Sequence, residues 1–149
     1  MQELPHHYLA IAHAGASGPV QVRAQGVAEI TTHAPPEFGG PEGYWSPETL
    51  FAAAIADCYI LSFRAVARAS KVEWKKLSVE VDAILERADG ALRFTHVVLR
   101  PRLVLAPGAS ESLARTVLQK AKASCLVTNS LTASCELHGI VELTEAAAA

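Results

Sequence analysis

Three cysteines stand in the 149-residue sequence, at Cys58, Cys125 and Cys135. An odd number argues against a structural disulfide framework, so any bridge among them is expected to be transient and chemical. The thiolate is the reactive form of such a group, both as a nucleophile and in disulfide exchange. Cys58 lies in the stretch SPETLFAAAIADCYILSFRAVARAS, Ser46 to Ser70, with an acid, Glu48, in the first turn. A thiol on an apolar helix is by itself more often a small hydrophobe. Cys125 ends a second helical stretch, where a thiol is expected to be more accessible than in a core. Cys135 alternates with Leu137 in the last strand, which points it inward as a structural thiol. Asp57 points about 100° away from Cys58 around the helix. It is therefore expected to pair with a base or cap backbone rather than act on the thiol.

Other constellations carry less chemistry. Cys135-x-x-His138 has a metal-like spacing, but residues three apart on a strand face opposite ways. The six histidines show no His-x-x-x-His pattern, so no metal site is expected. GGPEG, 39–43, lacks the strand–loop–helix context and the lysine of a phosphate loop. Phe38, Tyr44, Trp45 and Phe51 cluster around the helix entry. They either pack the loop onto a partner or form an apolar wall for an alkyl or aryl ligand.

The elements that would position these groups follow from periodicity and turn residues. Half of the residues are apolar and 19% are charged, as in a single globular domain covering 1–149. A net charge of −2 leaves no electrostatic footprint for nucleic acid or an acidic membrane. MQELPHHYLA lacks a basic segment followed by an apolar run, so no signal peptide is expected. Asp57 and Arg64 interrupt the apolar helix, which argues against a membrane span. The expected compartment is the cytoplasm.

HHYLAIAHA and VQVRAQGVAEITTH read as two strands joined by GASGP. Val20, Val22 and Ala24 lie on one face of the second, and Gln21, Arg23 and Gln25 on the other, solvent-facing one. APPEFGGPEGYW is a long loop. Ser46 caps the following helix, with Pro47 at its first position. Alternating runs from Leu77 to Arg87 and from Leu92 to Leu105 form a hairpin through Asp89-Gly90. Ser110 caps the amphipathic ESLARTVLQKAKASC. ASCELHGIVELT is a closing strand, and EAAAA a frayed tail. The order is β-β-α-β-β-α-β, an α+β fold with antiparallel sheets around a long buried central helix.

That central helix is apolar almost all round, and such a helix must be buried all round. One sheet covers one face; the other is expected to be covered by a second copy of the chain. At ~25 cal/mol per Å2, leaving that face in water would cost several kcal/mol.

GGPEGYWSPETLFAAAIADCY resembles the family of osmotically inducible protein C and the organic hydroperoxide resistance proteins. Their mark is a glycine-rich loop, a Ser/Asn-Pro-Glu-x-Leu helix start, and a cysteine ten positions after the glutamate. A second helix ending in KAHxxCP or KAKxxCP completes it. Here these are Ser46-Pro47-Glu48-Thr49-Leu50 with Cys58, and Lys120-Ala121-Lys122-Ala123-Ser124-Cys125. The match in element order extends along nearly the whole chain.

The resemblance implies an OsmC-like fold and an intertwined homodimer with active sites lined by both chains. It also implies a thiol peroxidase that reduces organic hydroperoxides, with hydrogen peroxide as a further candidate substrate. Cys58 would be the peroxidatic cysteine, Cys125 the resolving cysteine, and Glu48 a carboxylate holding the polar network of the site. Thiolate attack on the distal peroxide oxygen gives a sulfenic acid and an alcohol, and the second thiol traps it as a disulfide. An external dithiol, of dihydrolipoyl type or another small thiol, would reopen the bridge. No metal, flavin or haem is required, because sulfur carries the electrons. The organic-hydroperoxide members carry an arginine in the first turn, where Ala16 or Ser17 stands here. The nearest alternative cation is Arg23. Leu126 stands where the family has proline. The missing arginine favours an alternative: a non-enzymatic small-ligand-binding or redox-sensing dimer on the same scaffold.

Overall fold

The computed structural model describes residues 2–144. Met1 and the EAAAA tail lie outside the described residues. Two compact units divide the chain, residues 1–51 and 52–149.

The first unit holds a three-stranded antiparallel meander: β1 (Ala10–Ala14), β2 (Val20–Ala24) and β3 (Ile30–Thr32). VQVRAQGVAEITTH is thus two strands, not one. A turn at Gln25-Gly26, with Gly26 at φ 77°, reverses the chain within it. His6–Leu9 stays outside β1. The long loop contains one helical turn, Pro36–Phe38. It returns to β3 through a Thr32–Trp45 bridge and a 3.0 Å hydrogen bond from His33 N to Trp45 O. The His33 ring rests on Tyr44 at 4.3 Å between centroids.

Helix α1 (Pro47–Ala69) begins where Ser46 stops the extended chain. Ser46 Oγ accepts from Thr49 N at 3.2 Å, and Thr49 Oγ1 accepts from Ser46 N at 2.8 Å. This reciprocal cap has threonine in the place usually held by Glu or Gln. Replacing Ser46, which is buried, by alanine removes the cap, at a cost of about 1 kcal/mol. A thermal melt of Ser46→Ala should show the midpoint lowered by about 2–4 °C.

Within one chain α1 is not buried all round. Its buried stripe is Ile55, Tyr59, Phe63 and Ala67, spaced four apart. Asp57, Arg64 and Arg68 share the opposite side and are exposed, and Leu61 is 51% exposed. The helix is long and apolar enough to cross a membrane by length and composition alone. Its stripe instead packs in a protein core.

In the second unit β4 (Trp74–Ala88) and β5 (Ala91–Leu105) form a long hairpin. Its two-residue turn has Asp89 at φ 52° and Gly90 at φ 80°. Aspartate tolerates this left-handed geometry and glycine adopts it freely. Val97, Leu99, Leu103 and Leu105 have no exposure, whereas Arg100 and Arg102 on the other face pair with Glu80 and Glu142. The period-2 pattern therefore sets one dry and one wet face.

Helices α1 and α2 (Glu111–Ser124) belong to the dry side. Ser110 Oγ caps α2 by accepting from Leu113 N. Tyr59 Oη donates to Leu118 O at 3.0 Å, and Phe63 meets Trp74 edge-on at 5.3 Å. A short helix, α3 (Leu126–Asn129), follows Cys125; the sequence reading missed it.

The closing segment corrects two expectations. It is two strands, β6 (Ser134–Leu137) and β7 (Ile140–Leu143), and both run parallel to β5. The sheet is therefore mixed, because the chain crosses back over α2 and α3 before re-entering. The break at 138–139 faces Arg100 and Pro101 of β5. Leu99 O accepts from His138 N at 2.8 Å, so Leu99 turns its backbone polar groups toward this edge. Pro101, two residues on, faces the same edge without an N–H to donate. The observed order is β-β-β-α-β-β-α-α-β-β.

Candidate functional site

Cys58 occupies the middle of α1, half-buried, one position from the stripe that holds the helix to the sheet. It opens into a groove of about 690 Å3 walled by Leu61, Ser62, Ala65, Val66 and Ala69 of α1. Lys120 and Ser124 of α2, and Leu126 of α3, form the opposite wall. The alanines of α1 leave the width of this groove open. Ser124 and Leu126 flank Cys125 in sequence. Ser62, one turn beyond Cys58, donates to Ser124 O at 3.5 Å. The two helices thus meet where the first two thiols lie. Lys120 is the only charged residue lining the groove among the described residues.

Cys125 differs from its expectation. A thiol at a helix end was expected to be accessible, but Cys125 has no exposure. α3 folds the chain back at once: Asn129 N donates to Cys125 O at 3.0 Å, and the Thr128 hydroxyl donates to the same oxygen at 3.2 Å. The family's proline is absent, and Leu126 starts α3 instead. Cys135 is half-buried and faces inward, as its alternation with Leu137 indicated. Burial pushes its thiol pKa up; Lys122 pulls it down and Cys125 pushes it up, both less strongly. Tyr59 lies in the same cluster. Burial raises its phenol pKa first, and Cys125 and Cys135 raise it further. Nothing in the sequence marked Tyr59 as a neighbour of both thiols. Its bond to Leu118 O joins residues 59 apart in sequence, which no local pattern marks.

The remaining candidates are in the first unit. Glu48, at the start of α1, buries Oε2 without a hydrogen-bond partner. A carboxylate oxygen in that state calls for a donor. Arg23 is exposed on β2, opposite Ile11 in the register. Ala16 and Ser17 lie in the exposed turn after β1. Phe38, Tyr44 and Trp45 are each more than half exposed, and Phe51 is half-buried. His138 pairs with Glu136 at 3.1 Å.

Comparison with known proteins bears on this arrangement. The model of the family described as OsmC-like protein matches residues 39–138, which include Glu48 and all three cysteines. An uncharacterized Bacillus subtilis protein, YmaD, is 27% identical over 136 residues, covering 89% of this chain and 91% of that protein. An OsmC-like protein of unknown function from Vibrio cholerae superposes with a TM-score of 0.83 at 22% identity, covering 91% of this chain and all of the other. A Legionella pneumophila structure, described as an organic hydroperoxide resistance protein OsmC, gives 0.74 at 25% identity, covering 94% and 99%. The chain is a member of the OsmC-like protein family, with that family's mixed α and β fold.

Proposed function

We propose that this protein is a thiol-dependent peroxidase that reduces organic hydroperoxides to alcohols in defence against oxidative stress. The observation that carries this is the groove that Cys58 shares with Ser124 and Leu126, the two residues flanking Cys125. An apolar groove with one thiol on its wall suits an alkyl peroxide better than a polar one. Cys58 takes the distal oxygen and becomes a sulfenic acid while the alcohol leaves. Cys125 then condenses with it, water leaves, and a disulfide forms. A small dithiol, such as one of dihydrolipoyl type, restores both thiols by exchange. The resistance protein from Legionella is a relative whose description agrees with this chemistry.

The working unit is a homodimer in the cytoplasm. Two features support a second copy: the side of α1 that one chain leaves open around Leu61, and the unpartnered Oε2 of Glu48. Glu48 precedes Cys58 by ten residues on one helix, a rise of about 15 Å. A carboxylate serving Cys58 would therefore come from the other copy. Reaction of the reduced protein with one equivalent of tert-butyl hydroperoxide, followed by alkylation and peptide mass spectrometry, should give a Cys58–Cys125 disulfide within one chain. Unmodified Cys58 after that treatment would refute the proposal.

A further inference from the structure

Cys135 is a thiol that this peroxidase cycle leaves idle, and its position gives it a use. Its partner across β5, Val97, has no exposure, so Cys135 faces the helical layer. α2 lies over the same edge: a Cβ at Gly139 would be 3.0 Å from Leu118 Cδ1, a closeness that glycine permits. From Leu118, α2 advances about 10 Å to Cys125. From Gly139 back to Cys135, the chain covers at most about 13 Å. α2 begins soon after β5 ends at Leu105, which pairs with Leu143, so from Leu118 the helix runs back along the sheet toward Cys135. Cys125 thus lies between two thiols, Cys58 on the groove side and Cys135 on the β6 side. Cys125 itself is sealed from solvent, whereas Cys58 and Cys135 are half-buried.

We propose that Cys135 is a third redox thiol that takes the disulfide over from Cys58. The Cys135 thiolate attacks Cys125 Sγ, the Cys58–Cys125 bond breaks, and a Cys125–Cys135 bond forms. Cys58 leaves as a thiolate and takes up the proton that Cys135 gave up. One disulfide and one thiol stand on each side of the step, so no oxidant or reductant is consumed. The exchange returns Cys58 to the groove ready for a second peroxide. It also moves the reducible bond toward β6, an edge strand of its sheet. The step rests on the peroxidase cycle proposed above.

The test is stoichiometric. Reduced protein receives two equivalents of tert-butyl hydroperoxide without reductant, and the residual peroxide is measured. Wild type should consume about two equivalents and yield a Cys125–Cys135 disulfide with Cys58 oxidised a second time. Cys135→Ser should consume about one and stop at Cys58–Cys125. Consumption of one equivalent by both proteins, with Cys58–Cys125 persisting, overturns the relay and leaves the peroxidase intact. No consumption by wild type overturns the peroxidase instead. In that case diamide treatment of Cys58→Ser still judges the thiol pair: a Cys125–Cys135 bridge supports the juxtaposition, and its absence overturns it.

Discussion

Cys58→Ser should bring dithiol-dependent consumption of an alkyl hydroperoxide down to the uncatalysed background. The serine hydroxyl stays protonated where a thiol ionises, and it has no stable counterpart of the sulfenic acid. The side chain is half-buried on the wall of an open groove, and serine is of similar size. The fold should therefore survive, which a thermal melt would check. Cys125→Ser separates the two roles. It should form the Cys58 sulfenate with the first equivalent, then overoxidise to sulfinic acid faster than wild type. Full turnover in Cys58→Ser would refute Cys58 as the peroxidatic residue, and no turnover by wild type would leave a binding or redox-sensing dimer as the better account. An assay of dithiol oxidation, with intact-mass measurement of each variant, distinguishes these outcomes.

The second large effect concerns the core that fixes this thiol. Phe63 has no exposure and meets Trp74 edge-on. Phe63→Ala should cost about 3–5 kcal/mol, from lost transfer energy and the cavity left behind. That is a large share of a typical total stability of ~5–15 kcal/mol. Cys58 lies five residues earlier on the same helix, so the variant should also lose the defined geometry of the groove. Leu61 provides the contrast. It is half exposed in one chain, and Leu61→Ala should cost about 0.5 kcal/mol or less if α1 stays open. If a second copy covers that side, the cost rises and becomes dependent on protein concentration. Urea titration of both variants at two protein concentrations checks the pair of expectations.

Much of the fold was legible because its signals are local. Ser46-Pro47 marks the start of α1 through a cap and a residue that needs no N–H. Asp89-Gly90 marks the hairpin because few other pairs accept two left-handed residues. The alternation in β4 and β5 is clear because one face is dry and the other wet. Where the reading failed, one cause was a local turn and the others were non-local. Gly26 breaks a run that looks continuous by alternation. The direction of β6 and β7 depends on where the chain re-enters the sheet, which no residue in those strands encodes. Pro101 was a usable sign of the break beside it, but only once β5 was known to be the neighbour of the closing strand.

The candidate site divides in the same way. By itself the sequence determined which groups could react. It supplied the thiols, the capped helix that carries one of them, and the spacing that links Glu48, Cys58 and Cys125 to a family. Residue type and helical period set those. The tertiary structure decided which thiol is open, which is sealed and which are neighbours. Cys125 is buried although it ends a helix. Cys135 faces α2 because its register with Val97 turns it to the dry side of the sheet. Exposure and proximity depend on how separate elements pack, and packing joins residues as far apart in sequence as Tyr59 and Leu118.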